Sequence, residues 1–559
     1  MFRYLPAGLL LCFLLFFWKL GSTPFDNQEA RVGAVVQHMT DSNDLWGPRI
    51  GPDPYFNKPL LGHWVVLACS KVFGLNEATA RLPSALAGLG VVWLTWLLAR
   101  RWYGDETAVL AALTLAGSFS FIEWSRLARL ETPNLLAVMA AFLLYFTYRE
   151  TGDSRRLYAM AVVMAVGAHI KGLLTFAVPG FAILAVVLVF RDWKRLNGKH
   201  LAIASAVALA LYSTPFLLLW WTSGTAEPIR IAYRENIQRL LSPFDHIEPF
   251  YFYGYQWFRL TLPWSILAPW VIVHLVRNRG KLEPETSRLL VVIAAIFGFF
   301  QLSASRRGYY LLPILPFTSI LAAWFLVQLP ALGGVWQRSI GWIWTLAAVG
   351  LQLPILARVI VTRGVAEAVA ARYAGDQETA GQVVQALYSP SILFAGFACA
   401  VAGAVILWAQ RRVTVSRIRV VSIAVCVVTA VLFTVVKPVL EPGGGVRVFA
   451  GEVTRIAQGR TDLLALSPST AHAQSLIYYL RLKDCRVFSD PETARAELFD
   501  TGGFLLIRET ELPPDSWTLL EVERGWTTRG RPSRPWRLYR PLEEPKRRIE
   551  KPASHGVSP

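Results

Sequence analysis

The chain has 559 residues, 54% of them hydrophobic and 17% charged, with a net charge of +18. Soluble globular chains carry about 25% charged residues, whereas apolar runs of roughly 16 to 22 residues recur here from end to end, each long enough or nearly so to cross a ~30 Å hydrocarbon layer. A single soluble core is excluded, and so is a nucleic-acid binder, because the basic residues sit in short loops between apolar runs rather than along one face.

The first run, Tyr4 to Leu20, follows Arg3 and includes Lys19. No small-x-small cleavage site precedes Phe25, so it reads as an uncleaved first helix rather than a signal peptide. A polar, amphipathic stretch follows from Pro24 to about Gly74. Further spans are expected at roughly 83–99, 107–122, 133–148, 157–170, 173–190, 201–221, 262–276, 289–303, 309–328, 340–361, 390–409 and 419–437, about thirteen in all. With thirteen, the groups Arg100 and Arg101, Arg149, Arg155 and Arg156, Arg191 to Lys199, Arg277 to Arg288, and Arg411 to Arg419 all fall on one side. The excess of Lys and Arg makes that side the cytoplasm. The N-terminus is then cytoplasmic and everything after about Pro438 lies outside. Against this bias, the outward loops keep Arg126, Arg129, Lys171, Arg306 and Arg307. Snorkelling to lipid headgroups accounts for such charges one by one; convergence on an anionic ligand accounts for them together.

From Gly443 to about Pro541 the composition is that of a soluble domain. Strands are expected at Leu463–Leu466, Cys485–Ser489, Gly503–Arg508 and Trp517–Val522, with helices at Ala471–Leu480 and Glu492–Leu498. This alternation fits a small α/β domain with a partly parallel sheet. Gly443 to Gly445 is a linker, since no Lys-Ser/Thr follows to make a phosphate loop. The charged, Pro-rich tail from 543 to 559 reads as disordered. Cys12, Cys69, Cys399 and Cys426 sit in apolar runs, Cys485 stands alone, and no bridge or zinc cluster is expected.

The first outward loop is the richest in chemistry. Pro24-Phe25-Asp26-Asn27-Gln28-Glu29-Ala30-Arg31 opens an amphipathic helix, with Asp26 placed to cap it and Glu29 at the capping-box position. Trp46-Gly47-Pro48-Arg49 and Tyr55-Phe56-Asn57-Lys58-Pro59-Leu60 follow. A helix cap does not explain why carboxylates, Arg31 and Lys58 gather beside a membrane. His63 and His169 lack a second ligand at metal spacing, so local hydrogen bonding is their expected role. Trp264 fits either an interfacial belt or a sugar platform.

The Asp26–Arg31 run, the Pro-Arg some twenty residues on, and Phe-Asn-Lys-Pro-Leu at 56–60 resemble the first periplasmic loop of the bacterial aminoarabinose-transferase-like glycosyltransferases, relatives of the protein O-mannosyltransferases in the GT-C superfamily. Leu75 to Ser84, Ser125 to Pro133, His169-Ile170-Lys171-Gly172, Pro249-Phe250-Tyr251 with Leu262-Pro263-Trp264, and Ser303 to Pro316 agree in the same order. The resemblance implies an all-α polytopic GT-C membrane fold over 1–438, with a first periplasmic loop at about 21–82, followed by a periplasmic α/β domain over 439–542. It also implies a polyprenyl-phosphate sugar as donor and an acceptor at the periplasmic face (lipid A, another glycolipid, a polysaccharide or a protein).

An inverting displacement needs a carboxylate to take the acceptor's proton or to hold a divalent Mg, Mn or Zn ion. It also needs cations for the departing phosphate. Lys58 matches the family's loop lysine and is expected on the donor phosphate, with Arg306 and Arg307 before Tyr309, and with Lys171 and Arg126. The family's leading catalytic carboxylate falls on Gln28, a second acidic position on Asn57, and the later loop's Asp on Glu131. Catalysis is therefore expected to rest on Glu29 or Asp26, with Glu131 supporting. Glu29 ranks first because it matches a family acidic position, and Glu29 and Glu131 are the candidate metal ligands. A lipid-linked-sugar transporter and a catalytically inactive scaffold are the competing readings, the second encouraged by Gln28 and Asn57.

Overall fold

The computed structural model describes residues 5–224, 229–230, 233–234, 247–303, 305–350, 364, 384–385, 388–409, 411–440, 445–467, 473–483, 486–488, 491–507, 517–522 and 536–542. Its contacts divide the chain into two units, Met1–Arg49 with Pro54–Glu441, and Ile50–Asp53 with Pro442–Pro559. The linker glycines 443 and 444, the tail 543–559, Cys485 and the second half of the expected span 340–361 lie outside the described residues.

The first unit is helical. After α1 (Leu5–Phe16), the polar stretch forms α2 (Asn27–Ser42) and α3 (Leu60–Phe73); between them β1 (Arg49–Ile50) pairs with β2 (Asp53–Pro54), a hairpin whose residues Ile50–Asp53 group with the second unit. Then come α4 (Glu77–Tyr103), α5 (Asp105–Ala116), α6 (Phe119–Ser125), α7 (Glu131–Thr151), α8 (Arg155–Lys171), α9 (Leu174–Phe190) and α10 (Gly198–Ser223). Beyond residue 247, helices run at Phe252–Leu260, Ala268–Arg277, Pro284–Gln301, Leu315–Gln328, Gly334–Gly350, Pro390–Ala409 and Val415–Val431.

Local chemistry sets the ends of these helices. Asn76 caps α4 by accepting from Thr79 N, and Gly104, at φ +83°, closes it with its own N–H on Arg100 O. The 27 residues of α4 reach about 40 Å at 1.5 Å per residue, enough to cross a bilayer.

The expected spans in the described residues overlap helices, but 107–122 is broken between α5 and α6, and 262–276 starts in a turn at a sharp bend. Six helices among the described residues are long and apolar enough to cross a membrane, or eight if each bent pair counts as one. The bends separate α5 from α6 by 68° and Phe252–Leu260 from Trp264–Arg277 by 112°. The helices are apolar outside as well as in. Leu86, Trp93, Leu188, Leu209 and Phe397 face away from the protein, and only 6% of the most apolar window of α10 is buried within it. Such a surface belongs in lipid, so the chain is a multi-pass membrane protein.

Close approach of α3, α7 and α8 shapes the loop end of the bundle. A Cβ on Gly62 would stand 2.6 Å from Leu130 Cδ1 and 3.1 Å from Ile170 O, so a glycine lets α3 lie against the start of α7 and the end of α8.

The second unit holds a five-stranded sheet of order β4-β3-β5-β7-β6. Its strands are β3 (Leu464–Ser467), β4 (Arg486–Val487), β5 (Phe504–Ile507), β6 (Trp517–Val522) and β7 (Arg537–Pro541). β3 runs parallel to β4 and β5, while β7 pairs antiparallel with β5 and β6. Helices Gly445–Ile456, Gln474–Tyr479 and Pro491–Thr501 accompany it, and Ala465, Leu498, Leu505 and Trp517 share its core. The sequence pattern missed β7 and the first of these helices.

Candidate functional site

Asp26 caps α2. Its Oδ1 accepts from Gln28 N (2.8 Å) and Glu29 N (2.7 Å), and the Glu29 carboxylate accepts from Asp26 N (3.2 Å) in return. The capping box thus forms, yet each carboxylate has a second partner that separates their roles.

Glu29 is 1% exposed. Arg81 grips it with two parallel bonds, Nε to Oε1 and Nη2 to Oε2, each 2.8 Å, and Ala128 N donates to Oε1 at 2.7 Å. The remaining Arg81 donors reach Leu20 O, Thr23 O and Pro24 O. One buried ion pair therefore ties the start of α2 to α4 and to the loop before α7. Asp26 keeps its other oxygen near the surface, where Arg129 Nη2 donates to Oδ2 at 2.8 Å and the Asp26 side chain stays 47% exposed. Burial would raise the Asp26 carboxyl; the Arg129 charge and the two backbone N–H groups outweigh it and hold the carboxyl below its usual range. Arg129 is raised in turn, since Asp26 and Glu131 outweigh the desolvation of its guanidinium.

Beside this pair lies a second one. Glu131 opens α7 and Lys171 closes α8, with Nζ 3.0 Å from Oε1 and both side chains largely buried. Lys171 Nζ sits 4.9 Å from the centroid of the Tyr309 ring. Arg307 Nη1 donates to Tyr309 Oη at 2.9 Å, and Tyr309 packs on Trp124 at 4.9 Å. Arg129 lies over the other aromatic of this floor, 5.0 Å from Trp124. The charges of Lys58 and Arg129 act on Glu131, and that of Arg307 acts on Lys171. Six of the sequence candidates (Asp26, Glu131, Lys58, Lys171, Arg307 and Tyr309) therefore meet at one end of the helices.

The others are placed differently. Arg126 is buried and donates to Leu15 O (3.0 Å), Trp18 O (2.8 Å) and Lys19 O (3.3 Å), so it closes the end of α1. Arg306 donates to Glu248 O and to Gln301 O, bracing the segment before Arg307. Arg31 lies 5.7 Å from the Tyr55 ring centroid. Gln28 is exposed and Asn57 half-buried. His63 is buried against Tyr55 with neither ring nitrogen hydrogen-bonded, unlike the local bonding expected for it. Sequence reasoning placed neither Arg81 nor Trp124 in the site. It noted Arg129 only as a charge against the topological bias, which was the signal that could have found it.

The chemistry of the donor set does not fit a divalent metal. The Glu29 oxygens are spent on Arg81 and Ala128, and Glu131 is paired with Lys171. Among the described residues no three His, Cys, Asp or Glu side chains come together as a metal cluster.

Comparison with known proteins agrees with this architecture. The family described as dolichyl-phosphate-mannose-protein mannosyltransferase matches residues 57–220. An undecaprenyl phosphate-alpha-4-amino-4-deoxy-L-arabinose arabinosyl transferase of Pseudomonas fluorescens is 28% identical over 324 residues, covering 56% of each chain. An uncharacterized protein of Aquifex aeolicus is 27% identical over 345 residues, 61% of this chain and 68% of that one. The matched segment spans about half the length of the curated arabinosyl transferases. The crystal structure of ArnT from Cupriavidus metallidurans bound to undecaprenyl phosphate superposes with a TM-score of 0.69 at 21% identity, covering 96% of this chain and 97% of that one. A multi-pass helical unit with an ionic site at its loop end, followed by a small sheet domain, is the GT-C architecture. Within it, the chain is similar to the aminoarabinose-transferase-like glycosyltransferases.

Proposed function

We propose that the chain transfers a sugar from undecaprenyl phosphate, or a close polyprenyl phosphate, to an acceptor hydroxyl at the outer face of the inner membrane. Lipid A, another glycolipid, a polysaccharide or a protein would present that hydroxyl. The observation that carries this reading is the convergence of Lys58, Arg129, Lys171 and Arg307 around Glu131 and the Tyr309–Trp124 floor. A cluster rich in cations at the end of membrane helices suits a lipid phosphate that gains charge as it departs. The names of the curated relatives support the carrier.

In this reading the acceptor oxygen attacks the anomeric carbon and the bond to the phosphate oxygen breaks with inversion. The electron pair leaves on the phosphate, beside Lys58 and Arg307, and the acceptor's proton goes to a carboxylate. Asp26 is that carboxylate: it is ionised, half-exposed and two residues before the family's usual position at Gln28. Glu29, ranked first on sequence, becomes a positioning residue, because every lone pair it could use already faces a donor. Glu131 orients Lys171 and the acceptor. No step is routed through a metal. The domain limits near residue 438, the thirteen crossings, the cytoplasmic N-terminus and the periplasmic C-terminal domain complete the proposal, supported by the one-sided distribution of Lys and Arg.

The direct test supplies radiolabelled undecaprenyl-phosphate sugars to membranes containing the chain, and to membranes lacking it. Label should appear in a new product only with the chain. Absence of chain-dependent product from every labelled donor would overturn the reading.

A further inference from the structure

A cleft opens in the membrane unit far from the ionic site. Helix Leu315–Gln328 connects the two: it follows directly on the Gly308–Ile314 turn that carries Tyr309, and its far end gives Leu326 and then Leu329 to the cleft. Its 14 residues place about 21 Å between those ends. The cleft lies at the end of the helices where the Arg411–Arg419 loop turns, and it is walled by Trp264, Trp344, Ile418 and Val421.

One polar group in this apolar wall has no partner, and a second keeps a charge with no carboxylate paired to it among the described residues. Trp264 is 5% exposed and its indole Nε1–H has no acceptor, although its ring packs 6.1 Å from that of Trp344. A buried donor at membrane depth is rarely left unsatisfied, because no bulk water reaches it. Arg417 also borders the cleft. Its guanidinium stacks 4.5 Å over Trp408, and among the described residues its one bond is a long contact from Nη1 to Trp408 O at 3.4 Å. Arg411 and Arg412 add charge to the same loop, while Arg419 is neutralised by Glu106 at 2.8 Å. A basic pocket between membrane helices, lined with aliphatic and indole surface, is complementary to an anionic phospholipid. A polyprenyl tail would fill the apolar wall but answer neither Arg417 nor the Trp264 N–H.

We propose that this cleft binds one anionic glycerophospholipid, its phosphate on Arg417, an ester carbonyl accepting from Trp264 Nε1, and an acyl chain along Trp344 and Val421. The site is separate from the sugar-transfer reaction and stands whether or not that reading holds.

The test uses the purified full chain in detergent, titrated with phosphatidylglycerol and with phosphatidylcholine of the same acyl chains, with bound lipid counted by native mass spectrometry. Phosphatidylglycerol should saturate at one tight site, and phosphatidylcholine should not. Arg417→Gln should weaken phosphatidylglycerol binding about fivefold, the factor one basic residue contributes beside an anionic headgroup, and Arg417→Lys should restore most of it. Trp264→Phe, which removes the N–H but keeps an aromatic ring, should weaken it as well. Arg412→Gln, on the same loop but outside the cleft, should leave it within about twofold. Equal binding of the two lipids, or equal losses from Arg412→Gln and Arg417→Gln, would show diffuse attraction to a basic surface and overturn the site. Arg417 is half-exposed at the mouth, so its variants retain the fold and carry the test even where Trp264→Phe does not.

Discussion

Asp26 and Glu29 stand three residues apart on one capping box, and each meets an arginine, yet the two pairs sit in opposite environments. The Glu29–Arg81 pair is sealed, with side-chain exposures of 2% and 3% and every oxygen engaged. The Asp26–Arg129 pair is half-open, at 47% and 19%. In the sealed pair, desolvation has already been offset by geometry, so removing either partner strands a buried charge. In the open pair, solvent screens the attraction and the carboxylate remains reachable. Proximity in sequence thus says little about role. One pair holds the loop in place, and the other is left with chemistry to do.

The largest expected effect comes from breaking the sealed pair. Arg81→Ala leaves Glu29 buried without its counter-charge and frees three backbone carbonyls, and such a change costs about 3–5 kcal/mol. The purified variant should show a much lower thermal midpoint and poor recovery as monodisperse protein. Asp26→Asn should lower the stability by no more than about 1 kcal/mol and the midpoint only slightly, because the amide still caps α2 and an exposed ion pair contributes little. Equal midpoints for Arg81→Ala and Asp26→Asn would erase the distinction between the pairs.

Activity should rank the two sites the other way. Asp26→Asn should lower transfer by about 10²–10⁴-fold, the usual contribution of a positioned base, in protein that is folded and inserted like the parent. Full turnover in that variant would remove Asp26 from the reaction. A smaller loss is expected for Lys58→Ala and Arg307→Ala. Each deletes a charge-assisted phosphate contact, about 1.5–3 kcal/mol or roughly ten- to more than a hundredfold at limiting donor. If both kept parental rates at low donor concentration, the phosphate would have to sit elsewhere.

The helices were legible because the apolar runs are long and uninterrupted, and the capping box because Asp26 and Glu29 carry its local spacing. The pairings were not. Arg81 reads as one residue in a helix-opening segment, and nothing local says that it crosses 52 positions to Glu29. Arg126 and Arg129 look alike on sequence as charges against the topological bias. The turn after α6 sends one into the carbonyls that end α1 and the other to Asp26. The count of crossings also resists sequence reading, since two apolar stretches bend by 68° and 112° where a run of hydrophobic residues predicts straight spans. In the second unit, β7 was missed because Arg537, Tyr539 and Arg540 do not give the apolar run of a buried strand, although Leu538 and Tyr539 are buried by pairing with β5 and β6.

The smallest effect is the most specific. Arg129 is the main charge lowering the Asp26 carboxyl, against a burial that would raise it. In the native protein the base is therefore already ionised at pH values below the ordinary carboxylate pKa of about 3.9, and the acid limb of the pH–rate profile that reports Asp26 falls there. The sign for stability is the same. A depressed folded pKa contributes stability above the unfolded pKa, and that contribution is lost only as pH falls through the folded value. Arg129→Gln removes the opposing charge and leaves burial to act, so Asp26 should hold its proton to higher pH and the acid limb should move upward. The height of the profile also falls, because a cation leaves the phosphate cluster, so the position of the limb is the quantity to read. Near neutral pH the limb itself subtracts almost nothing, and the shift becomes visible only in acid. A limb that stays in place in Arg129→Gln would mean that the titrating group in the reaction is not the carboxylate facing that arginine.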